Sequence, residues 1–554
     1  MAEKSKAGKH EEGPVGHLDR KVSLLEYIQY AMITRAEEEA RMGSELSSFE
    51  TSRFGFLSLL YPKGSDAILR DIVGQSVQQP TTYVSDMEWA NASRALRNAT
   101  WGAVFFLITT DMFGPLTVPW AISQLGYVPG VVLYTVFGAV GGYTTHQLWT
   151  IFILLDSSRY PLKTYGEMAY RIYGPWARGV CNVLQSLQLF FSVGLLILSN
   201  GQGISQLSFG RLCFVVCNLV FTIAGCLVGQ VRSIQRFQWL ANIAIWLNIA
   251  ILCITMGAVA NSAPNYEAAA AQSLVQPGPV VTSVDVPEGS IFQGQIIGLL
   301  QAIYAYGGAM IYCEIMNEMK RPWDFWKSFI LAQTFIFCFY MFYGLFVYSY
   351  QGQFTVLLSN QGISIDSLRT ASNSLGIVSS LILACLYGNI GIKVFYKYIG
   401  VEWLHFPDLN TTQTGKILFA GLVPVYWSLA FVICSAIPNL TNFSALIAAV
   451  CVLQFTFTFP PILMVGLSVQ REAETLQQPF NPQAENAAPP APLKLEHLVK
   501  AYKKHWIMNT INILFFLASL SLAGLGIYSS IYLLQITFAT NDNITSFTCV
   551  SPVG

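Results

Sequence analysis

The sequence predicts an all-α polytopic membrane protein: about eleven transmembrane helices, arranged as two five-helix inverted repeats plus one. Three observations carry that prediction. The chain is 53% apolar and only 11% charged, whereas soluble proteins carry roughly 25% charge. Its long apolar runs alternate with loops whose basic residues fall almost entirely on one side. Two of those runs, at equivalent places in the two halves, are interrupted by helix-breaking residues.

Crossing roughly 30 Å of hydrocarbon takes about 20 mainly apolar residues. Runs that qualify lie near 101–122, 129–155, 178–199, 211–229, 239–260, 290–313, 328–350, 376–398, 417–436, 443–468 and 510–535. With the N-terminus in the cytosol, the inner loops collect Arg159, Lys163, Arg171, Arg178, Arg232, Arg236, Lys320, Arg321 and Lys327. They also collect Lys393, Lys397, Lys416, Arg471, Lys494, Lys500, Lys503 and Lys504, so 17 bases lie inside against Arg211 and Arg369 outside. That asymmetry orients the chain and supports the span assignment, because one missed span would scramble every later loop.

The regions follow from this layout. Residues 1–98 are a cytosolic tail of mixed charge, 99–470 the transmembrane core, 471–506 a cytosolic linker, and 507–554 the eleventh helix with an extracellular tail. Within the linker, 472–493 reads as disordered. The basic stretch 493–506 reads either as a helix on the membrane surface or as an extension of the last span. The outer loop 261–289 has no Lys or Arg and suggests no task. No signal-peptide core precedes the first span. Ten of eleven cysteines fall in apolar runs and only Cys549 lies outside one, so no disulfide is expected. The sequon at Asn543 is extracellular, those at Asn439 and Asn442 sit close to the membrane, and that at Asn410 is cytosolic.

The interruptions locate the chemistry. The first span contains Asp111, Met112, Phe113, Gly114 and Pro115, with Pro119 a turn later; the sixth contains Tyr306, Gly307 and Gly308. Proline lacks an N–H and obstructs the preceding turn, and adjacent glycines weaken a helix. A lone break is often only a kink, but breaks at matched positions of two repeats mark a substrate site near the midplane. Unwound backbone offers N–H groups to a carboxylate and carbonyls to an ammonium, which suits an amino acid. Gln188 and Tyr387 lie at similar depth, as do Asn389 and Gln454, for which interhelical hydrogen bonding is the competing reading. Met112, Phe113 and Tyr306 would suit an apolar or aromatic substrate side chain.

Intramembrane acids are costly and therefore functional by default. Asp111 lies about 15 Å into the first span at 1.5 Å per residue, where it either couples transport and touches substrate or caps the broken helix. A carboxyl at that depth is driven towards its neutral form, which suits a proton carrier. Glu314 and Lys393 reach similar depths on the inner side and form a candidate gate pair. Glu318 and His146 read as interfacial. No metal cluster or activated nucleophile is written in the sequence, so enzymatic chemistry and a metal cofactor are not expected. The zero net charge points to no nucleic-acid partner.

These residues also carry a resemblance. The segment from Gly114 through Pro119 to Leu125, Gly126 and Tyr127 resembles a pattern of the amino acid/auxin permease family, within the amino acid–polyamine–organocation superfamily. So does the run from Tyr306, Gly307 and Gly308 through Glu314 and Glu318 to Pro322, with Thr164–Glu167 and Phe459–Pro461 in support. The resemblance extends from about 100 to 535 and is nearest to fungal neutral amino-acid permeases of the methyltryptophan-resistance type. It implies eleven spans, a LeuT-like fold, and import of neutral amino acids by proton symport, with no other cofactor. The lipid bilayer and a small amino acid are the implied partners, and the plasma membrane is favoured over an internal one. The family often has His after the paired glycines, where this chain has Ala309. The alternatives are export from a vacuole-like compartment and an amino-acid-sensing receptor. A channel is disfavoured, because no filter-like loop or ring of charge is present.

Overall fold

The computed structural model describes residues 22–40, 97, 99–112, 114–231, 234–273, 275–396, 400, 413–437, 439–477, 493–540 and 546–552. Among them the secondary structure is helical, apart from an isolated bridge between Ala99 and Met319. The elements are α1 (Leu24–Ala40), α2 (Trp101–Met112), α3 (Val118–Leu125), α4 (Tyr127–Leu155), α5 (Tyr165–Tyr173) and α6 (Pro175–Leu207). They continue with α7 (Phe214–Val228), α8 (Ile234–Asn261), α9 (Tyr266–Ser273), α10 (Phe292–Ala305), α11 (Tyr312–Glu318) and α12 (Phe325–Gln351). The last six are α13 (Asp366–Phe395), α14 (Gln413–Ala436), α15 (Leu440–Ile447), α16 (Phe459–Gln477), α17 (Leu495–Lys504) and α18 (Trp506–Thr540).

Nine helical stretches among the described residues are long and apolar enough to cross a membrane. The predicted second span falls on the 29-residue α4 and the fourth on the 15-residue α7. Each predicted apolar run therefore coincides with helix. The sequons at Asn410 and Asn543 lie outside the described residues; Asn439 accepts a hydrogen bond from the Asn442 amide and caps α15.

The chain divides into two compact units, each described by itself. The smaller comprises the described parts of Met1–Leu96 with Ile153–Leu162 and Leu467–Trp506. Its centre is α1, a helix inside the segment predicted as a tail. Arg35 of α1 forms a buried ion pair with Asp156 at 2.8 Å. The Glu474 carboxylate accepts from the Leu24 and Leu25 amides at 3.2 and 2.9 Å, satisfying N–H groups that a helix start leaves unpaired. The basic stretch forms a separate helix, α17, that ends at His505 rather than extending α18, and Lys504 pairs with Glu472 at 2.6 Å.

The larger unit comprises Arg97–Phe152, Lys163–Gly466 and Ile507–Gly554. Both predicted breaks are present in it. The first span runs as α2, stops at Met112, makes a 3₁₀ turn at Pro115–Thr117 and resumes as α3. The sixth runs as α10, stops at Ala305, turns through Ala309–Ile311 and resumes as α11. Their ends are tied together: the Ala99 amide donates to Glu318 O and the Lys320 amide to Ala99 O, at 3.1 and 2.9 Å. At the opposite end, α3 packs on α10 where Gly298 meets Gln124. The tenth span contains π-helical turns at Ala448–Val452 and Gln454–Thr458, between α15 and α16.

The outer loop 261–289 acquires a task here. The loop accepts from the Tyr127 and Val128 amides through Ser283 O and Val284 O, at 3.0 and 2.9 Å. It is held from the other side by Tyr348, in the last turn of α12, and by Gln353 just beyond it. Gly126 makes the crossing feasible: its φ is 89°, and a Cβ there would lie 2.1 Å from Asp285 O.

The cysteine expectation is corrected. Cys213 and Cys549 form a disulfide across 336 residues of sequence. Cys213 is the residue before α7 begins, at a helix end rather than inside the apolar run. The tail also returns to hydrogen-bond there, with the Phe214 amide donating to Cys549 O and the Phe547 amide to Ser435 O.

Candidate functional site

Two cavities lie along the broken spans, both within the larger unit. The first, about 240 Å³, is lined by Asp111, Gly114, Gln188, Tyr304, Gly307 and Tyr387, with Leu195, Leu196, Ile377 and Leu383 as apolar wall. It is roofed by the 3₁₀ turn Ser359–Gly362, whose Asn360 and Gln361 also line it. A chain of amide hydrogen bonds holds that turn in place. Asn360 donates to Asn373, Asn373 to Gln206, Gln206 to Gln361 O, and Gln361 to Ser199 O, at 2.9–3.1 Å.

Asp111 sits one residue before the first break, and the Tyr387 hydroxyl donates to its Oδ1 at 2.6 Å. One side of the carboxyl is thus engaged by the eighth span, while the residue lines the cavity. Gln188, buried on α6, presents an Oε1 with no hydrogen-bond partner. Buried acceptors are rarely left unpaired, so this one is suited to a donor that arrives with substrate.

The two breaks are joined by a residue that the sequence did not announce. Tyr340 of α12 donates its hydroxyl hydrogen to Ala305 O at 2.9 Å and accepts from the Gly114 amide at 3.4 Å. One hydroxyl therefore satisfies an orphan carbonyl at the end of α10 and an orphan amide in the first break. Its ring packs against Tyr134 and Tyr306, with centroids 6.1 and 5.6 Å away.

Tyr306 consequently does not line the first cavity; its buried ring belongs to this aromatic cluster. Tyr304, two residues earlier and so on the other face of the helix, takes the place at the wall. Gly308 is buried within the turn and is not part of the lining. Phe113 and the side chain of Met112 lie outside the described residues. Asn389 donates to Val231 O at 2.7 Å, the interhelical reading, and Gln454 donates to Ala449 O within its own span at 3.3 Å.

The second cavity, about 230 Å³, holds Glu314 and Lys393 together with Lys163, Arg178, Gln185 and Glu318. Gln185 of α6 donates to Glu314 Oε1 at 2.8 Å and to Met310 O at 2.9 Å. Lys393 lines this cavity with both Glu314 and Glu318. Adjacent residues face opposite cavities: Gln188 and Gln185, Met310 and Ile311, Tyr387 and Leu386. The partition between the cavities is about one helical turn thick.

Residues 97–482 match the family described as transmembrane amino acid transporter protein. The chain belongs to that family. Membership makes it a multi-pass membrane transporter rather than an enzyme. The chain is 24% identical over 452 residues to an N amino acid transport system protein of Neurospora crassa, covering 77% of this chain and 83% of that one. It is 23% identical over 380 residues to a transmembrane transporter of Gibberella moniliformis, covering 66% and 75%. It is 25% identical over 257 residues to amino acid permease 2 of Arabidopsis thaliana, covering 40% and 47%.

Proposed function

We propose that this transporter imports neutral amino acids of moderate to large apolar side chain by proton symport, with Asp111 as the coupling group. The observation that carries the reading is the first cavity. It places a carboxyl, an unwound backbone and an unpaired amide oxygen beside an apolar wall. A zwitterion needs an acceptor set for its ammonium and donors for its carboxylate. Asp111 and Gln188 Oε1 supply the first, and the backbone N–H groups of Leu116 and Thr117, at the start of the 3₁₀ turn and in the lining, supply the second. Leu195, Leu196, Ile377 and Leu383 suit an apolar side chain, and among the described residues the lining holds no Lys or Arg.

Proton coupling follows from where Asp111 stands. An ionised carboxylate there is costly, and a neutral one does not repel the substrate carboxylate. If proton and substrate both favour the same occluded state, each raises the affinity for the other, which is symport. The N-terminus is cytosolic and the disulfide-linked tail faces an oxidising exterior in this reading. The relatives named for amino-acid transport in a fungus and a plant support the substrate class.

The test is uptake into proteoliposomes by the full-length protein, using a labelled panel of acidic, dibasic, small neutral and large neutral amino acids. Proton and sodium gradients are imposed separately. Saturable uptake of leucine, phenylalanine and tryptophan driven by the proton gradient is the expected result. Preference for acidic or dibasic substrates would sink the pocket reading, and sodium-only accumulation would sink the coupling.

A further inference from the structure

Across the partition, the second cavity has a donor-seeking geometry of its own. Gln185 is fully buried, and its Nε2 is held between Glu314 Oε1 and Met310 O at 2.8 and 2.9 Å. Those two acceptors fix the amide's orientation, since a flipped amide would set oxygen against oxygen. Gln185 Oε1 and Glu314 Oε2 are then buried without a hydrogen-bond partner, and both residues line the cavity. Each unmade hydrogen bond of this kind is a cost that an arriving donor relieves. Two neighbouring ones call for a group with several donors.

The rest of the lining narrows the class of that group. Lys163, Arg178 and Lys393 bring positive charge to the same cavity, while Leu107, Ile311 and Ile390 bring apolar surface. Convergent acceptors, a cationic side and an apolar wall together complement an ammonium, a carboxylate and an apolar side chain on one molecule. At about 230 Å³ the cavity offers nearly the same room as the first, at about 240 Å³. Room alone therefore does not distinguish the two.

We propose that the second cavity is a distinct release site for the amino-acid zwitterion on the inner side of the partition, with Gln185 Oε1 and Glu314 Oε2 receiving the ammonium. This site rests on the import reading given above and adds a second station to it. Gln188 and Gln185, one turn apart on α6, present one unpaired amide oxygen to each cavity. The ammonium moves from the first oxygen to the second as the layer containing Met310 and Ile311 shifts. The carboxylate moves from backbone amides to the basic side of the inner cavity. No bond is made or broken in the transfer.

The experiment reads the two faces separately in proteoliposomes containing the full-length protein, with leucine as probe. External half-saturation comes from initial uptake rates. Internal half-saturation comes from the acceleration of labelled leucine entry by graded unlabelled leucine inside. In Glu314→Gln and Gln185→Leu, the internal value rises about tenfold or more, as loss of one charge-assisted contact requires. The external value rises less than twofold. Ile390→Trp, which fills the cavity while leaving both polar side chains in the sequence, produces the same one-sided loss and guards against misfolding of the polar variants. Equal shifts on both faces, or an unchanged internal value, would overturn the proposal. So would Glu314→Gln losing accumulation driven by a pH gradient while internal half-saturation stays normal, which assigns Glu314 to coupling instead. Failure of the parent protein to carry any amino acid strikes the import reading itself and is seen before any variant is compared.

Discussion

The two broken spans look alike in sequence and differ in use. In the first, Gly114 is exposed and nothing lies within 4 Å of where a Cβ would stand. In the sixth, a Cβ on Gly307 would lie 2.1 Å from Val452 Cγ1, on the π-helical turn of the tenth span. Tyr306, Ala309 and Met310 around it are buried. Both breaks reach the cavity, but the first has open space around its glycine while the second is clamped by its neighbours. A transporter needs both: unwound backbone that can meet a ligand, and a rigid counterpart against which that meeting produces motion.

The largest expected effect falls on the clamped break. Gly307→Val forces backbone or the tenth span to move, and overpacking of this kind costs about 1–3 kcal/mol or more. The fraction of protein recovered as a monodisperse peak in detergent should fall severalfold. A normal yield would mean that the sixth break is as free as the first.

Next comes Asp111→Asn. Asparagine keeps the shape and can still accept from Tyr387, but it cannot titrate. Exchange of labelled for unlabelled leucine persists, while accumulation driven by a pH gradient is lost. Loss of binding would give Asp111 the substrate ammonium instead, and loss of folded protein would make it a cap for α2. Accumulation with normal pH dependence would remove it from the coupling role.

Tyr340→Phe tests whether the breaks act together. It deletes both hydrogen bonds of the hydroxyl while leaving the ring in its cluster. At about 1 kcal/mol per bond the apparent affinity for leucine should weaken roughly five- to thirtyfold. Yield should hardly change, because the packing survives. An unchanged affinity would show that the breaks are positioned without the bridge. The smallest effect is expected for Gly114→Ala, which meets open space. Its cost of about 1 kcal/mol or less is confined to backbone freedom, so yield stays normal and affinity falls a few-fold at most.

Legibility followed the same division. The breaks were readable because Gly114, Pro115, Gly307 and Gly308 act locally on the chain that contains them. The spans were readable because burial in lipid imposes length and composition on every one. Tyr340 was not readable. It sits in a run of aromatic residues from Phe335 to Tyr343, where nothing local distinguishes a bridging hydroxyl from a packed ring. Gln185 was hidden similarly, since its importance lies in contacts 125 and 129 residues away. Tyr306 was assigned to the pocket from its place beside the glycines, but the end of α10 fixes which face it takes. Helix α1 escapes the sequence reading because its mainly apolar run, residues 24–33, is too short to span a membrane and gives way to Arg35 and Glu37–Glu39. Its anchors, Asp156 and Glu474, are also distant in sequence.

The bond between Cys213 and Cys549 makes the polypeptide a closed loop that includes seven of the predicted spans, from the fifth to the eleventh, along with part of the fourth. On the proposed orientation, with the tail outside, its closure waits until the last helix has been threaded and the tail has reached an oxidising compartment. The molecule thus carries a covalent record of completed insertion. A single protease cut introduced between residues 478 and 492 would split the chain into two pieces that still migrate together on a non-reducing gel. They would separate only when the disulfide is reduced. A precursor stalled before its final helix crosses would fall apart under either condition.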